Sequence, residues 1–300
     1  RPMPGEKTSH SNVSTENFER QIQYLSEHYT LMHLHEYVTA LREGRRIPSE
    51  TAVITFDDGY ETVYSQAFPI LKKYGVPATV FLSVDFVDSG KAMWDVSVDH
   101  WVSRCDVPYI ELNLGERRVL DVAQPAEKVS ATYQILQYLN DQSSEDRQQV
   151  LDQLQAQVTV GDDQVSENLR PLNWEQVREM SGNGITIGSH AMSHSDLTRM
   201  EPERMAWEVT ESRRVIEARA GIDADLFDYP GGAFNEEVKG IVKSTYKGAV
   251  AVKKGSANDD VYGLRRTGIY GPNTQPEFIA KLSPLEPLMT GLAARFRRGG

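Results

Sequence analysis

The stretch ITFDDGYETV, residues 54–63, places two neighbouring carboxylates, Asp57 and Asp58, directly after a short apolar run. The β-branched run at 51–56 followed by Asp-Asp-Gly predicts a buried strand that ends at these aspartates. Like charges this close repel each other, so a fold that keeps both aspartates ionised needs a positive group beside them. The stretch therefore raises the question of which cation or cationic side chain lies there.

Further short apolar runs along the chain are predicted as strands, at 78–83, 185–190, 225–229 and 248–252. Amphipathic segments alternate with the runs and are predicted as helices, among them 15–29, 61–75 (ended by Gly75) and 202–221. Short strands that alternate with helices indicate parallel βα units and an α/β protein of about six strands. Periodicity alone fits both an open sheet and a (β/α) barrel.

Composition excludes several classes of protein. The net charge of −11 over 300 residues argues against a nucleic-acid partner, which needs a basic face, although three arginines lie in the tail at 294–300. The single cysteine, Cys105, excludes an intrachain disulfide and a thiolate metal cluster. The sequence shows no apolar run of about 18 residues and no signal peptide, so no membrane span is expected. These features fit both a cytoplasmic and an extracytoplasmic protein, and they leave the oligomeric state open.

Residues from about 88 to 172 interrupt the alternation of strands and helices. This inserted segment begins with aromatic residues and continues with a region rich in Gln and Asp. It is too long for a simple loop, and we predict a mainly helical insertion with a small hairpin at about 110–120. The chain as a whole, 1–300, is predicted to form one domain that carries this insertion.

The second chemically informative stretch is GSHAMSHSDL, 188–197, where His190 and His194 follow a predicted strand. The carboxyl ends of parallel strands lie on one face of an α/β fold, so these histidines are expected beside Asp57 and Asp58. Two imidazoles and one carboxylate are the ligands of a catalytic zinc or a similar divalent site. Such an ion would relieve the repulsion between the aspartates, with one of them as ligand and the other free as a base.

In combination, TFDDGY (55–60) and SHAMSH (189–194) resemble the motifs of the polysaccharide deacetylases, carbohydrate esterase family 4. The resemblance covers roughly 12–87 and 172–272 and implies a distorted (β/α)7 barrel. It implies that Asp57 is the general base. It also implies that Asp58, His190 and His194 hold a divalent metal, most often Zn²⁺, with Co²⁺ or Ni²⁺ as alternatives.

A third motif of that family matches only in part, in LFDYPGGAF at 226–234. Pro230 aligns, whereas Asp228 stands where the family usually has a base-orienting arginine, and Gly231 replaces an aromatic residue. The backbone N–H of Gly231 can still donate to an oxyanion. Arg265 or Arg266 is a candidate for the missing arginine, although an ordinary salt bridge explains either equally well.

The family also generally has a late histidine that protonates the leaving amine, and this sequence has no histidine after His194. His100 and His10 are the candidate substitutes, but an ordinary surface role is expected for both.

The resemblance implies an N-deacetylase that acts on N-acetylated amino sugars of a polysaccharide or oligosaccharide. Tyr60, Trp94, Tyr229 and Pro230 are the candidate substrate-binding residues; Tyr229 either lines the substrate groove, the interpretation that we favour, or packs inside the fold. Two alternatives stay open: an amidase or esterase for a small molecule that uses the same metal site, and a carbohydrate-binding member with weak or no turnover.

Overall fold

The computed structural model describes residues 13–158, 169–251, 260–271 and 273–282. Within these ranges the strands are β1 (Thr30–Leu31), β2 (Thr51–Ala52), β3 (Thr55–Phe56), β4 (Ala78–Leu82), β5 (Tyr109–Asn113), β6 (Arg117–Asp121), β7 (Ile185–Ser189), β8 (Leu226–Asp228), β9 (Gly248–Ala251) and β10 (Leu264–Arg265). The α-helices are α1 (Thr15–His28), α2 (Leu34–Arg42), α3 (Phe68–Tyr74), α4 (Val84–Ser89), α5 (Trp94–Arg104), α6 (Pro125–Leu139), α7 (Ser144–Gln155), α8 (Trp174–Ser181), α9 (Pro202–Ala220), α10 (Glu236–Thr245) and α11 (Gln275–Leu282). The basic tail at 294–300 and His10 lie outside the described residues.

A six-stranded sheet, all of whose described pairings are parallel, forms the centre of the fold, in the order β10-β9-β8-β7-β4-β3. A separate parallel pair joins β1 to β2. Helices between the strands pack against the sheet and bury its apolar side chains. The sheet is curled and matches the distorted (β/α) barrel that the resemblance implies, so the α/β prediction is confirmed.

The predicted strand at 51–56 is present as two short pieces with different neighbours. Its first part, β2, pairs with β1, while its last part, β3, pairs with β4. The residues of both pieces are half-buried rather than buried, unlike those of β4, all five of which are buried. Asp57 and Asp58 nevertheless follow directly after β3, as predicted.

The main hydrophobic core lies between the sheet and its helices. Val80 and Leu82 of β4 have no exposed surface and pack with Leu71, Val177 and Ile216, which come from three different helices. A strand that is buried on both faces has a nearly continuous apolar sequence, and the sequence of β4 has this pattern.

Helix ends follow the glycine signals. Gly75 and Gly221 adopt left-handed conformations, with φ of 64° and 73°, immediately after α3 and α9. Glycine is common at the end of a helix because it has no Cβ atom and adopts this left-handed conformation at little cost. The predicted helix at 61–75 contains a π-helical turn at Val63–Ala67 before α3, a difference that the sequence pattern does not show.

The inserted segment contains α5, the antiparallel hairpin of β5 and β6, α6 and α7. The hairpin lies where it was predicted. These elements share a hydrophobic cluster that is distinct from the core of the sheet, including Trp101, Ile110, Ile135 and Leu154. The assignment of one domain with an insertion stays a prediction. In the described part of the chain, we find no helix with the length and apolar character needed to cross a membrane.

Candidate active site

The predicted metal ligands converge at the carboxyl ends of two strands of the six-stranded sheet. Asp58 follows β3 and His190 follows β7, with β4 between them. Asp58 Oδ1 lies 3.5 Å from His190 Nε2 and 3.3 Å from His194 Nε2, and one ligand atom from each of the three residues lies within 4.8 Å of the others. Two imidazole nitrogens and a carboxylate oxygen around one point are a suitable donor set for a divalent transition metal.

The backbone at this point is held in an unusual conformation. Asp58, Ala191 and His194 have φ of 72°, 61° and 52°, and in the described part of the chain these are the non-glycine residues with positive φ. L-residues disfavour this region, and such strain concentrates at functional sites where the surrounding structure imposes it. The surroundings here supply hydrogen bonds, from Ser83 N–H to the Asp58 carbonyl at 3.1 Å and from Val84 N–H to the Ala191 carbonyl at 3.2 Å.

Asp228, at the end of β8, fixes the ring of His190. His190 Nδ1 lies 2.9 Å from the backbone carbonyl oxygen of Asp228 and 3.1 Å from its Oδ2. Because a carbonyl oxygen only accepts, Nδ1 is the protonated nitrogen, and in the neutral ring the lone pair is on Nε2, facing Asp58. This is the arrangement of a metal-binding histidine whose second nitrogen is held by a neighbouring group.

Arg266 is the positive side chain beside the free aspartate. Its Nη1 lies 2.5 Å from Asp57 Oδ1 and its Nη2 lies 3.0 Å from Asp57 Oδ2, a bidentate contact. Nη2 also donates to both oxygens of Asp228, at 2.8 and 2.9 Å, and Nη1 donates to Thr55 Oγ1 at 3.0 Å. The guanidinium therefore fixes the Asp57 carboxylate in one orientation.

These contacts shift the pKa values of the site in opposite directions. Burial disfavours the ionised form of Asp57, but the Arg266 guanidinium outweighs burial and holds the pKa of Asp57 below its usual value. Burial raises the pKa of Asp228 to about 6. Burial lowers the pKa of His190, but the neighbouring Asp228 carboxylate outweighs it and raises that pKa to about 9. Burial lowers the pKa of His194. Asp57 is thus ionised and suited to act as a base.

The sequence profile of the polysaccharide deacetylases matches residues 44–102 and 121–248, which together make up more than half of the chain. The chain belongs to the polysaccharide deacetylase family. The matched ranges extend further into the inserted segment than the sequence motifs suggested, because they include its first helix up to residue 102 and resume at 121. Only 103–120, which contains most of the hairpin, falls between them.

Two curated relatives of this deacetylase family resemble the chain to different extents. YxkH of Bacillus subtilis (strain 168), which carries the family's name, is 22% identical over 261 residues, 86% of this chain and 65% of YxkH. The poly-β-1,6-N-acetyl-D-glucosamine N-deacetylase of Staphylococcus epidermidis is 38% identical over 79 residues, 26% of this chain and 27% of that enzyme. The chain thus spans less than two thirds of the length of either relative.

Two solved structures share the deacetylase fold over nearly the whole chain. The Streptococcus pyogenes deacetylase PplD, in complex with acetate, superimposes with a TM-score of 0.63 at 19% identity, covering 95% of this chain and 94% of PplD. IcaB from Ammonifex degensii superimposes with a TM-score of 0.59 at 17% identity, covering 92% and 91%. At these identities the likeness shows the fold.

The two candidate arginines separate clearly. Arg266 is 14% exposed and contacts Asp57, whereas the side chain of its neighbour Arg265 is exposed. Side chains of successive residues in an extended segment point to opposite sides, so only one of the two faces the site. The role of Arg266 in orienting the base stays a prediction, but its position is the required one.

The interpretation of Tyr229 as a groove residue is wrong. Its side chain has no exposed surface, stacks on Phe234 with a centroid distance of 4.5 Å, and donates a hydrogen bond to the Tyr262 carbonyl at 2.9 Å. Pro230 is also buried. Gly231 is exposed and has a φ of 61°, a left-handed conformation that glycine adopts at little cost.

The remaining candidates lie where the inserted segment begins. Tyr60 is half-buried, packs on Phe86, and has its hydroxyl 3.7 Å from Met93 Sδ. Trp94, the first residue of α5, is also half-buried. The substrate-binding roles of Tyr60 and Trp94 stay predictions. His100 is buried on α5, so the surface role expected for it is wrong; its Nδ1 lies 3.0 Å from Arg104.

Sequence reasoning missed the part that Asp228 plays. It treated this residue only as a replacement for an arginine, whereas the structure shows it in contact with both His190 and Arg266. The sequence held a signal for this role, because Asp228 is the next-to-last residue of the strand predicted at 225–229 and so lies near a strand end, like the other site residues.

Proposed function

We propose that this chain is a metal-dependent N-deacetylase that hydrolyses N-acetyl groups of amino sugars in a polysaccharide or oligosaccharide. The observation that carries the proposal is the convergence of Asp58, His190 and His194 around one point, beside an Asp57 carboxylate that Arg266 holds ionised. Three ligands and a neighbouring base are the requirements of metal-assisted hydrolysis.

The residues present fit a divalent ion. The donor set is two imidazole nitrogens and one carboxylate oxygen, and the second nitrogen of His190 is already engaged by Asp228. We propose Zn²⁺ as the first expectation, with Co²⁺ and Ni²⁺ as alternatives for the same donors. When bound, such an ion polarises a carbonyl group and lowers the pKa of water to about 7.

The protein's own groups would handle the proton and the developing charge. Asp57, kept ionised by Arg266, accepts the proton of the attacking water. The backbone N–H of Gly231, an exposed residue, is a candidate donor to the oxyanion. The leaving amine needs a proton, and we propose that the protonated Asp57 returns it, because the low pKa of this carboxyl makes its neutral form a good acid.

The choice of a sugar substrate rests on the family and on the surface beside the site. The staphylococcal relative is named as an enzyme for poly-β-1,6-N-acetyl-D-glucosamine. Tyr60, which follows β3, and Trp94, at the start of α5, are half-buried aromatic side chains, and we propose that they contact sugar rings.

The test is acetate release from N-acetylglucosamine oligomers and from a panel of acetylated polysaccharides, with protein stripped of metal and then reloaded with zinc, cobalt or nickel. We expect reloading to restore acetate release. We expect Asp57→Asn to lower the rate by about 10²–10⁴-fold while metal still binds, since general-base catalysis is worth about that much.

The outcomes distinguish this proposal from its alternatives. Full activity in Asp57→Asn would contradict the role of the base. Hydrolysis of small acetamides but of no sugar would favour a small-molecule amidase, an alternative that the aromatic residue missing at Gly231 supports. Sugar binding without any acetate release would favour a binding protein.

A further inference from the structure

Both histidine ligands lie in one loop, residues 190–195, which we call the histidine loop, and a wholly buried carboxylate holds its backbone. Glu208, on α9, has no exposed surface. Its Oε2 accepts hydrogen bonds from the N–H groups of Met192 at 3.0 Å and Ser193 at 2.9 Å. Its Oε1 accepts from the Ser193 hydroxyl at 2.7 Å and from Arg204 at 3.2 Å. A side chain outside the ligand set thus holds the backbone of the loop between its two histidines.

A buried chain of hydrogen bonds continues from Glu208 into the inserted segment. The hydroxyl oxygens of Ser193 and Ser195 lie 2.9 Å apart. Ser195 Oγ then accepts a hydrogen bond from Nη2 of Arg147, on α7, at 2.7 Å. Ser193, Ser195 and Arg147 are 6%, 3% and 3% exposed. A residue of the inserted segment therefore contacts the position next to the ligand His194.

The rest of the Arg147 side chain is fixed within the inserted segment. Its Nε donates to the Leu139 carbonyl at 3.2 Å, and Nη2 also donates to the Gln142 carbonyl at 3.3 Å. The guanidinium carbon lies 4.4 Å from the ring centre of Trp94, a cation–π contact. Arg147 thus links the histidine loop to the aromatic side chain that begins α5.

Two further ion pairs join the same parts of the chain, but they lie closer to the surface. Arg199 contacts Asp141, and Arg204 lies 3.7 Å from Glu145. Exposed ion pairs contribute little, because water and salt screen them. Burying a guanidinium costs free energy unless its N–H groups are hydrogen-bonded. An arginine at the buried position 147 therefore suggests that its hydrogen bonds have a role.

We propose that Arg147 is a positioning residue for the metal site. It holds Ser195, and through Ser195, Ser193 and Glu208 it keeps the histidine loop in the conformation that presents His194. The inserted segment is then a structural part of the metal site rather than an attachment to the barrel. This proposal rests on the proposed function in one respect, that the histidine loop binds a divalent ion.

The test is the dissociation constant for Co²⁺ and Zn²⁺, measured by competition with a chromophoric chelator, together with the visible absorption spectrum of the Co²⁺ form. We expect Arg147→Met to weaken binding by about 10–100-fold, the usual effect of losing a group that orients a ligand. Arg147→Lys keeps the charge and one donor and should recover part of the affinity. Ser195→Ala removes the acceptor of Arg147 and the contact of that hydroxyl with Ser193, and it should also weaken binding.

The matched control is Arg117→Met, in the hairpin of the inserted segment. Arg117 is 77% exposed and pairs with Glu111, so its loss should leave metal affinity and the Co²⁺ spectrum unchanged. Circular dichroism and thermal melts of the metal-free proteins identify variants that fail to fold. If Arg147→Met does not fold, Ser195→Ala decides the question.

A double-mutant cycle adds a stricter criterion. If Arg147 acts through Ser195, Arg147→Met should weaken metal binding less in the Ser195→Ala background than it does in the wild type. Unchanged affinity and an unchanged Co²⁺ spectrum in folded Arg147→Met and Ser195→Ala would overturn the proposal. Since the titration uses no substrate, failure of the acetate assay does not alter this result, whereas a wild-type chain that binds no divalent ion would contradict the metal site itself and the proposal with it.

Discussion

His190 and Asp228 are joined twice, through the backbone carbonyl of Asp228 at 2.9 Å and through its carboxylate at 3.1 Å from the same imidazole nitrogen. The two contacts differ in what a mutation can remove. A substitution at Asp228 leaves the carbonyl in place, so the orientation of the ring and the charge beside it can be tested separately.

Asp228→Asn keeps the size and the carbonyl contact but removes the negative charge shared by His190 and Arg266. We expect metal affinity or the rate of acetate release to fall by about 10–100-fold, as for other groups that hold metal-bound histidines. Metal titration and initial rates on the same preparations measure the two effects. Equal values in the variant and the wild type would show that the carbonyl alone suffices.

Arg266→Met removes the bidentate partner of Asp57 and leaves a buried carboxylate without its counter-charge. We expect a loss of at least about 10²-fold in kcat/KM, because the base loses both its fixed orientation and the stabilisation of its ionised form. Arg265→Met is the matched control, since that side chain is exposed, and we expect it to change kcat/KM less than about twofold. A similar loss in both variants would contradict the assignment of Arg266.

Gly188 lies in β7 where a Cβ atom would come within 2.6 Å of the Phe81 ring and 2.9 Å of the Leu226 carbonyl oxygen. Gly188→Ala should therefore lower the free energy of unfolding by about 1–3 kcal/mol, the usual cost of overpacking a core. Gly240→Ala is the control: this glycine lies within α10 and its Cβ would meet no heavy atom within 4 Å. Alanine there should raise the free energy of unfolding by about 0.5–1 kcal/mol, which urea titration would resolve.

Tyr246 supplies a prediction about pH. Burial raises the pKa of this phenol to about 12, above the value of about 10 in an unfolded chain. The folded state thus favours the neutral phenol, so its contribution to stability is complete below pH 10 and is lost as the pH rises towards 12. We expect Tyr246→Phe to lose stability less steeply over this range than the wild type.

The measurement is urea unfolding of both proteins between pH 9 and pH 11.5. At pH 9 the variant should be less stable by about 1 kcal/mol, because it lacks the hydrogen bond from the hydroxyl to the Val209 carbonyl. The difference should shrink as the pH rises. A difference that stays constant would show that the phenol does not titrate differently in the two states.

Local patterns were enough to predict that the three candidate ligands lie together. Asp57 and Asp58 follow one apolar run, and His190 and His194 follow another, so their placement needed only the rule that parallel strands end on one face. The contact between Arg266 and Asp57 joins residues 209 positions apart, and no local pattern reports such a distance. Sequence could nominate Arg265 and Arg266, but only the direction of each side chain separates them.

Tyr229 is a residue for which the local pattern suggested the wrong position. An aromatic residue beside a catalytic motif suggested a substrate groove, but the strand alternation that aims Asp228 at the site aims its neighbour into the core around Phe234. The sequence also could not predict that 51–56 pairs with two different strands, because a change of neighbouring strand leaves the apolar pattern unchanged.

The order of the strands shows that the contact between Arg266 and Asp57 also joins the two outer strands of the sheet. Arg266 follows β10, one outer strand of the six-stranded sheet, and Thr55 and Asp57 lie in or just after β3, the other outer strand. Among the described residues these two strands share no backbone hydrogen bonds. The side chains of Arg266, Thr55 and Asp57 connect them instead. Asp57, the proposed base, therefore takes part in the side-chain contacts that join the two outer strands. Mild denaturant that separates these two outer strands should abolish turnover before the core of the sheet unfolds.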